Sequence, residues 1–390
     1  MHNTVEGHPR FHSDSSSARA RSSVRTRLTH WLENGSHTMC AGIIMLVILV
    51  TGSCSLSRDR SSQLVPYRLL VAGSRGFESD IYLMDGNGTI IKQLTDTPNR
   101  AEMWPVLGGD SDSVFFEART VPDKKVMICC LDLQSGREDT LYGPSPPGEL
   151  WFALSPDARF MVYVIPETTH TSICIREVTS GREQIIHKEE SRIIRPSWSP
   201  DSKQIVCQIR NNADKQWDLA LVDTENCTIR QITDTPGITE FKARWSPDGS
   251  QIVTSMFEGN DRSRVRIAIL TVQGDAVEHS FGSDRDRIIS AVWSPDGKLA
   301  AVRERPLPLG VLIWPTGEPT TTVEPKKMPG EWKRGRTVWS PDGKYLAVNV
   351  SESRSRGMLQ WRILIMDVMG HIVQRWPDEM SVFCPAWIHQ

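Results

Sequence analysis

Four nearly identical turns are the feature that most constrains how this chain can fold. Trp-Ser-Pro-Asp occurs at residues 198–201, 245–248, 293–296 and 339–342, each time followed by Gly or Ser and then an apolar run. In a type I turn serine suits the first position, proline presets φ at the second, aspartate suits the third and glycine accepts positive φ. Short alternating apolar segments flank each turn, which is typical of an antiparallel hairpin. Each copy therefore predicts a strand that ends near Trp, a tight turn and a second strand.

The spacing of these turns extends over most of the chain. Aligned on the Trp position, the repeat marks fall 44 to 48 residues apart, at Leu107, Leu154, Trp198, Trp245, Trp293, Trp339 and Trp387. Between successive marks the sequence predicts four short strands, of which the last carries the Trp into the next turn. A near-constant period of this length with four strands per unit indicates the blade of a β-propeller.

The two ends of the repeat region complement each other. Residues 67–96 supply three predicted strands without a preceding Ser-Pro-Asp-Gly turn, and residues 382–387 supply one unmatched first strand. Together they would complete one blade and leave no open sheet edge between the termini. We therefore expect an all-β fold, a β-propeller of seven four-stranded blades with one composite blade that closes the N- and C-termini. Six or eight blades are the alternatives.

The first 54 residues differ from the repeat region. Residues 1–38 are a polar leader rich in Ser and Arg, expected to be disordered or to precede a true start at Met39. Residues 39–54 contain the uncharged run AGIIMLVILVTG, which is shorter than the about 20 residues of a spanning helix and suits a signal-peptide core. Residues 55–66 would then form a tether to the propeller at residues 67–390.

Cys54 is the predicted lipidation site. It follows small residues in VTGSC, which resembles the processing site of a bacterial lipoprotein. An uncleaved membrane anchor and a cleaved secretory signal are the alternatives. All three place the body of the protein outside the cytoplasm, so we expect an exported, membrane-anchored protein of the cell envelope that faces the periplasm or the exterior.

Residues 74–98, SRGFESDIYLMDGNGTIIKQLTDTP, together with the repeated turns carry a family resemblance. They resemble the TolB-type propeller repeat, a relative of the WD repeat, and the resemblance covers residues 67–390. TolB resembles a six-bladed propeller with an additional N-terminal domain, for which this chain has no room. The resemblance implies the propeller fold and a role as an envelope binding platform or as an accessory domain of an enzyme.

The sequence contains no recognisable catalytic or metal-binding motif. The five histidines of the repeat region are well separated, and neither an HxH, an HExxH nor a GxSxG pattern occurs there. We therefore predict no catalytic residue, no metal site and no cofactor. The net charge of −2, without a basic block in the repeat region, gives no support to nucleic-acid binding.

The sequence does not decide whether the cysteines after Cys54 form disulfides. An even number of them follows Cys54 in the chain, which permits disulfides in an exported protein. No spacing identifies a pair among Cys129, Cys130, Cys174, Cys207, Cys227 and Cys384.

Two groups of repeated residues are predicted to be structural. Packing between adjacent blades is expected for the repeat tryptophans Trp198, Trp245, Trp293, Trp339 and Trp387. Turn formation is expected for the aspartates Asp201, Asp248, Asp296 and Asp342. The tryptophans outside the repeat position are more open to a binding role, namely Trp104, Trp151, Trp217, Trp314, Trp332, Trp361 and Trp376.

One basic segment is a candidate binding loop. Residues 326–336, KKMPGEWKRGR, precede a predicted first strand and contain Lys326, Lys327, Trp332, Lys333, Arg334 and Arg336. Basic side chains around one aromatic residue suit an acidic partner or an anionic glycan.

The sequence thus predicts a monomeric, non-catalytic propeller that serves as a protein–protein interaction platform in the bacterial cell envelope, with an unidentified envelope protein as partner. One alternative is a propeller enzyme, an oligosaccharide lyase or hydrolase, for which His170, His187, His279 or His371 would have to converge. The other is a glycan- or peptide-binding module, which predicts that tryptophans outside the repeat position line an exposed groove.

Overall fold

The structure, a computed structural model, describes residues 65–74, 78–109, 111–148, 150–210, 212, 215–273, 277–281, 285–305, 310–314, 332–353, 359–375 and 380–388. Side chains are described for these residues except 277–281, 305, 332–336, 352–353 and 359. The predicted leader, the segment with Cys54 and most of the tether lie outside the described residues, as do Lys326 and Lys327.

All regular secondary structure of the described residues is β-strand. In chain order the strands are β1 (Arg68–Ser74), β2 (Ser79–Asp85), β3 (Ile90–Gln93), β4 (Arg100–Leu107), β5 (Ser113–Thr120), β6 (Val126–Asp132), β7 (Glu138–Ser145), β8 (Trp151–Leu154), β9 (Phe160–Pro166), β10 (Thr171–Glu177), β11 (Glu183–Glu189), β12 (Ile193–Trp198), β13 (Gln204–Arg210), β14 (Trp217–Asp223), β15 (Thr228–Gln231), β16 (Ile238–Trp245), β17 (Gln251–Glu258), β18 (Arg266–Thr271), β19 (Val277–Phe281), β20 (Arg287–Trp293), β21 (Leu299–Arg305), β22 (Gly310–Trp314), β23 (Trp332–Trp339), β24 (Tyr345–Ser353), β25 (Leu359–Asp367), β26 (Ile372–Arg375) and β27 (Ser381–Ile388). No helix in this part of the chain is long and apolar enough to cross a membrane.

The strands pair as antiparallel meanders, called blades here. These are β4–β7, β8–β11, β12–β15, β16–β19, the three strands β20–β22, β23–β26, and a blade in the order β27-β1-β2-β3. The first strand of each blade is the one that enters the repeated turn. A single parallel pair, Ser79 with Ala101, links the β27-β1-β2-β3 blade to the β4–β7 blade.

The composite blade joins the two ends of the repeat region. Strand β27 lies antiparallel to β1, with Arg68 opposite Ile388 and Ser74 opposite Ser381. One strand from the end of the chain and three from the start thus form one blade, as the sequence predicts. Together with this blade, the described residues contain seven blades, and the total number in the protein stays a prediction.

The hydrophobic core lies between neighbouring blades. In one cluster Val162 and Ile173 of the β8–β11 blade pack with Ile205 and Val222 of the β12–β15 blade. Comparable clusters lie between the other neighbours, including the composite blade and the β23–β26 blade. Central strands are therefore buried on both faces, whereas outer strands such as β3 are exposed along their whole length.

The repeat tryptophans fasten each first strand to the blade before it. In four of the five repeat tryptophans, the indole Nε1 donates a hydrogen bond to a main-chain carbonyl oxygen of the preceding first strand. The pairs are Trp198 with Ala153 at 3.0 Å, Trp245 with Ser197 at 3.1 Å, Trp339 with Val292 at 3.2 Å and Trp387 with Val338 at 3.0 Å. Trp293 differs, because its buried Nε1 has no hydrogen-bond partner.

The repeated turns close through one serine and one aspartate. In the turn after Trp245, Ser246 Oγ donates to Asp248 Oδ1 at 2.6 Å and accepts from the Gln251 amide at 2.9 Å. The Gly249 amide donates to the Ser246 carbonyl at 3.0 Å, and Gly249 has a φ of 73°. The same serine–aspartate bond is present at Asp201, Asp296 and Asp342. The hydrogen bond from Ser246 lowers the pKa of Asp248, so this carboxylate acts within its own turn.

Candidate functional site

Five first strands contain the same β-bulge. In β12, Ile194 pairs with Gln208 and Ser197 with Val206, so that two residues, Arg195 and Pro196, face one residue of β13. The first bulged residue has a φ between 54° and 59° in each case: Trp104, Arg195, Lys242, Ser290 and Cys384. Positive φ is uncommon for residues other than glycine and is strained for bulky ones. Bulges of this kind change the direction of a side chain and are frequent beside functional sites.

Proline residues in the sequence mark the position of these bulges. Each bulge begins three residues before the repeat mark, and the second bulged residue is proline at Pro105, Pro196 and Pro385. Proline within a strand pattern marks an edge or a bulge, because it cannot donate a ladder hydrogen bond. Three in-strand prolines at one repeat position therefore predict a bulge there, and the residue before each one is redirected.

A cavity of about 510 Å³ lies against the bulged segments of β4, β12 and β16 and against β8. We call it the first-strand cavity. Its aromatic lining residues are Trp104, Trp151, Phe152 and Trp198, of which Trp104 is exposed and Trp198 is buried. Among the described residues that line it, the charged ones are one carboxylate and four cations: Glu117, Arg119, Arg195, Lys242 and Arg244. The cavity is therefore cationic, with three indoles in its wall.

Gln208 holds two of the cationic bulges in place. Its side chain is buried, and its Oε1 accepts from Arg195 Nη1 at 3.3 Å and from the Lys242 amide at 3.2 Å. Its Nε2 donates to the Glu240 carbonyl at 3.0 Å. The Arg195 guanidinium lies over the Trp151 ring, 4.7 Å from the ring centroid, a favourable cation–π distance. A neutral amide and an indole thus help to orient the Arg195 guanidinium.

The other three cations of the cavity make hydrogen bonds or an ion pair with neighbouring residues. Lys242 Nζ donates to Ser290 Oγ at 2.8 Å, which joins two bulges of adjacent blades. Arg244 Nη1 donates to the Ala243 carbonyl at 2.8 Å. Arg119 Nε pairs with Glu117 Oε1 at 2.5 Å, and Glu117 is buried. The cavity wall can therefore present positive charge at several separate points to a bound anion.

A second cavity of about 450 Å³ adjoins the first one. Both are lined by Trp104 and Val106. The second cavity is apolar and rich in proline, with Pro105, Pro295, Pro341 and Pro385 among its lining residues. A ligand that fills the cationic cavity can thus extend along a contiguous apolar wall.

Part of the predicted binding loop lies in a strand. Strand β23 begins at Trp332 and pairs with β24, with Trp332 opposite Glu352 and Arg336 opposite Asn349. The expectation of a loop through residue 336 was therefore wrong for residues 332–336, because main-chain pairing with β24 continues to Trp332. Their side chains, and all of Lys326 and Lys327, are outside what the structure describes.

Among the histidines with described side chains, His170 and His187 belong to the β8–β11 blade and His371 belongs to the β23–β26 blade. None of them lines the first-strand cavity. His170 pairs with Glu167 at 3.0 Å, His187 with Glu189 at 3.4 Å and His371 with Asp367 at 2.9 Å. The side chain of His279 is not described. No group of three potential metal ligands occurs among the described residues.

The six cysteines after Cys54 form no disulfide within the described residues. Cys129, Cys174 and Cys207 are buried in the cores between blades. Burial raises the pKa of Cys207 to about 12. These three thiols therefore behave as small apolar side chains.

The sequence matches the TolB beta propeller domain family over residues 144–307. An uncharacterised protein of Agrobacterium fabrum is 26% identical over 165 residues, which is 40% of this chain and 55% of that protein. The chain thus spans about half the length of this curated relative.

The fold is similar to three solved propellers. TolB from Acinetobacter baumannii has a TM-score of 0.50 at 18% identity, over 83% of this chain and 82% of TolB. An oligogalacturonate lyase in complex with manganese has a TM-score of 0.56 at 17% identity, over 75% and 84%. The oligogalacturonate lyase of Vibrio parahaemolyticus has a TM-score of 0.54 at 14% identity, over 80% and 85%. At such identities the likeness concerns the fold alone, which is a β-propeller, and residues 144–307 of this propeller match the TolB type.

Proposed function

We propose that the protein is a non-catalytic binding platform of the bacterial cell envelope that holds an anionic partner in the first-strand cavity. The observation that carries this proposal is the lining of that cavity, which contains four cations and three tryptophans but only one carboxylate among the described residues. Arg and Lys side chains on a concave wall bind carboxylate or phosphate groups through charge-assisted hydrogen bonds. An acidic segment of an envelope protein and an acidic glycan both meet this requirement.

Binding fits the cavity better than catalysis does. Acid–base or nucleophilic catalysis needs a group whose pKa and position suit proton transfer or attack. The described lining includes no histidine, cysteine or tyrosine. Its carboxylate, Glu117, is paired with Arg119. The oligosaccharide lyase or hydrolase remains the alternative, and it predicts that a bound saccharide is cleaved.

The binding test uses the full-length protein and three anionic probes: oligogalacturonate, poly-L-glutamate and inorganic polyphosphate. Titration calorimetry at low salt is expected to show binding of at least one probe, with an affinity that falls as salt rises. The double variant Arg195→Gln/Lys242→Gln should lose most of that affinity. The matched control is Arg137→Gln, which removes one cation that is 75% exposed and does not line the cavity.

Two results would contradict the proposal. If none of the three probes binds the folded protein, the cavity does not serve an anionic partner. If mass spectrometry shows that a bound saccharide is shortened or unsaturated during the incubation, the protein is an enzyme.

The proposed location in the envelope rests on the N-terminal sequence. There the apolar run at residues 41–52 precedes Cys54. We expect the wild-type protein to incorporate labelled fatty acid and to fractionate with membranes, and Cys54→Ser to lose the label. Membrane association of Cys54→Ser without any label would instead favour the uncleaved anchor, and release of both proteins into the soluble fraction would favour a cleaved signal.

A further inference from the structure

We infer that the ligand of the first-strand cavity is an acidic oligosaccharide, a chain of sugar rings that carry carboxylates. This inference rests on the proposed function and names the chemical class of its anionic partner. Three features support it: the shape of the cavity, the indoles of Trp104 and Trp151, and the separation of the cations.

The shape favours a thin ligand over a protein surface. A standard protein–protein interface buries about 800 Å² on each partner. The first-strand cavity is instead a concavity of about 510 Å³, within the range of about 300–1,000 Å³ that is typical of small-ligand sites. The adjoining cavity of about 450 Å³ shares Trp104 and Val106 with it. A chain of a few charged rings fits the first-strand cavity, whereas the apolar second cavity suits only a part of the ligand without a carboxylate.

The two indoles supply flat surfaces for sugar rings. Trp104 is 37% exposed although it lies in a strand, and its φ of 58° belongs to the bulge. Trp151, from the next blade, lies beneath the Arg195 guanidinium and has a buried Nε1 without a hydrogen-bond partner. An indole combines an apolar face with an N–H donor. The C–H face of a sugar ring can pack on the apolar face of the exposed Trp104 indole, and Trp151 contributes ring surface only, because its Nε1 is buried.

The cations are spread over the wall. Arg195 and Lys242 occupy the same bulge position on adjacent blades, Arg244 follows Lys242 by two residues, and Arg119 lies on β5. Such a pattern suits single negative charges at intervals, whereas one phosphate group concentrates its charge at a point. A uronate chain carries one planar carboxylate on each ring, and the planar fork of arginine matches a carboxylate in two hydrogen bonds.

The test measures binding of oligogalacturonate to the full-length protein by titration calorimetry. A neutral cello-oligosaccharide of equal length and poly-L-glutamate are the comparison probes. We expect oligogalacturonate to bind more tightly than either probe. Arg195→Gln should weaken that binding about tenfold to a hundredfold, as expected for the loss of a charge-assisted hydrogen bond.

Trp151 tests the stacking component. Trp151→Leu should weaken oligogalacturonate binding, whereas Trp151→Phe, which keeps an aromatic face, should retain most of it. Circular dichroism shows whether either variant is folded, and Arg137→Gln is the control for nonspecific charge effects. If Trp151→Leu and the wild type bind oligogalacturonate with equal affinity, the Trp151 indole does not contact the ligand, which would overturn the inference.

The remaining outcomes separate this inference from the proposed function. Tighter binding of poly-L-glutamate, lost in Arg195→Gln, would overturn the saccharide and leave an anionic partner in place. Equal binding of the neutral saccharide would show that carboxylates are not recognised, which also overturns the inference. Failure of oligogalacturonate, poly-L-glutamate and polyphosphate together would overturn both.

Discussion

Trp245→Phe tests whether the indole hydrogen bonds between blades stabilise the propeller. Trp245 is buried at 8% exposure, and its Nε1 donates to the Ser197 carbonyl, 48 residues earlier, at 3.1 Å. Phenylalanine keeps an aromatic ring in the core but leaves this carbonyl without its donor. An unsatisfied buried acceptor costs about 1–3 kcal/mol. We expect the free energy of unfolding to fall by about 2 kcal/mol beyond the loss due to the smaller ring.

Trp293→Phe is the matched control. Trp293 occupies the same repeat position, but its buried Nε1 has no partner, so the substitution removes a polar group that gains nothing from burial. Denaturant unfolding, followed by far-ultraviolet circular dichroism, gives the midpoint and slope for both variants. Trp245→Phe should be less stable than Trp293→Phe by about 1–3 kcal/mol. Equal losses would refute the view that these bonds fasten one blade to the next.

Further predictions concern a buried carboxyl and a turn. Burial, and then the charge of Asp218, raise the pKa of Glu240 to about 8, so the fold favours its protonated form. The free energy of unfolding should therefore decline as pH rises from about 4.5 towards 8. Denaturation of wild type and Glu240→Gln at pH 6 and pH 9 should show a smaller decline for the variant. Equal declines of the two proteins would contradict this. Ser246→Ala removes the hydroxyl oxygen that accepts from the Gln251 amide at 2.9 Å. In the same assay it should lower the free energy of unfolding by about 1–3 kcal/mol. An unchanged denaturation midpoint would contradict this.

Local interactions explain why so much of the fold could be predicted. The bonds of Ser246 to Asp248 and Gln251 span two and five residues, so the turn is encoded in a short stretch of sequence. The alternation of apolar residues beside it defines the two strands. The 44- to 48-residue period then predicts repeated blades, and the three strands left over at the start of the repeat region, together with the one at its end, predict the composite blade.

The first-strand cavity could not be predicted in the same way. Successive members of the set Trp104, Trp151, Arg195 and Lys242 are separated by roughly one repeat, and no sequence pattern assigns them to a common site. The bulge redirects three of these residues, and only its prolines mark it in the sequence. At residues 332–336 the basic composition suggested a loop, while pairing with β24 extended the strand to Trp332.

By itself, the sequence determined the turns and the strands, because these depend on contacts within one repeat, and its repeat period indicated the propeller that the strands build. The tertiary structure alone decided which side chains meet across repeats. Blade packing brings cations of different first strands around three indoles. It also encloses Glu240 beside Asp218 and so raises its pKa. Packing between strands far apart in the chain sets burial, charge proximity and cavity shape, and no local pattern encodes these quantities.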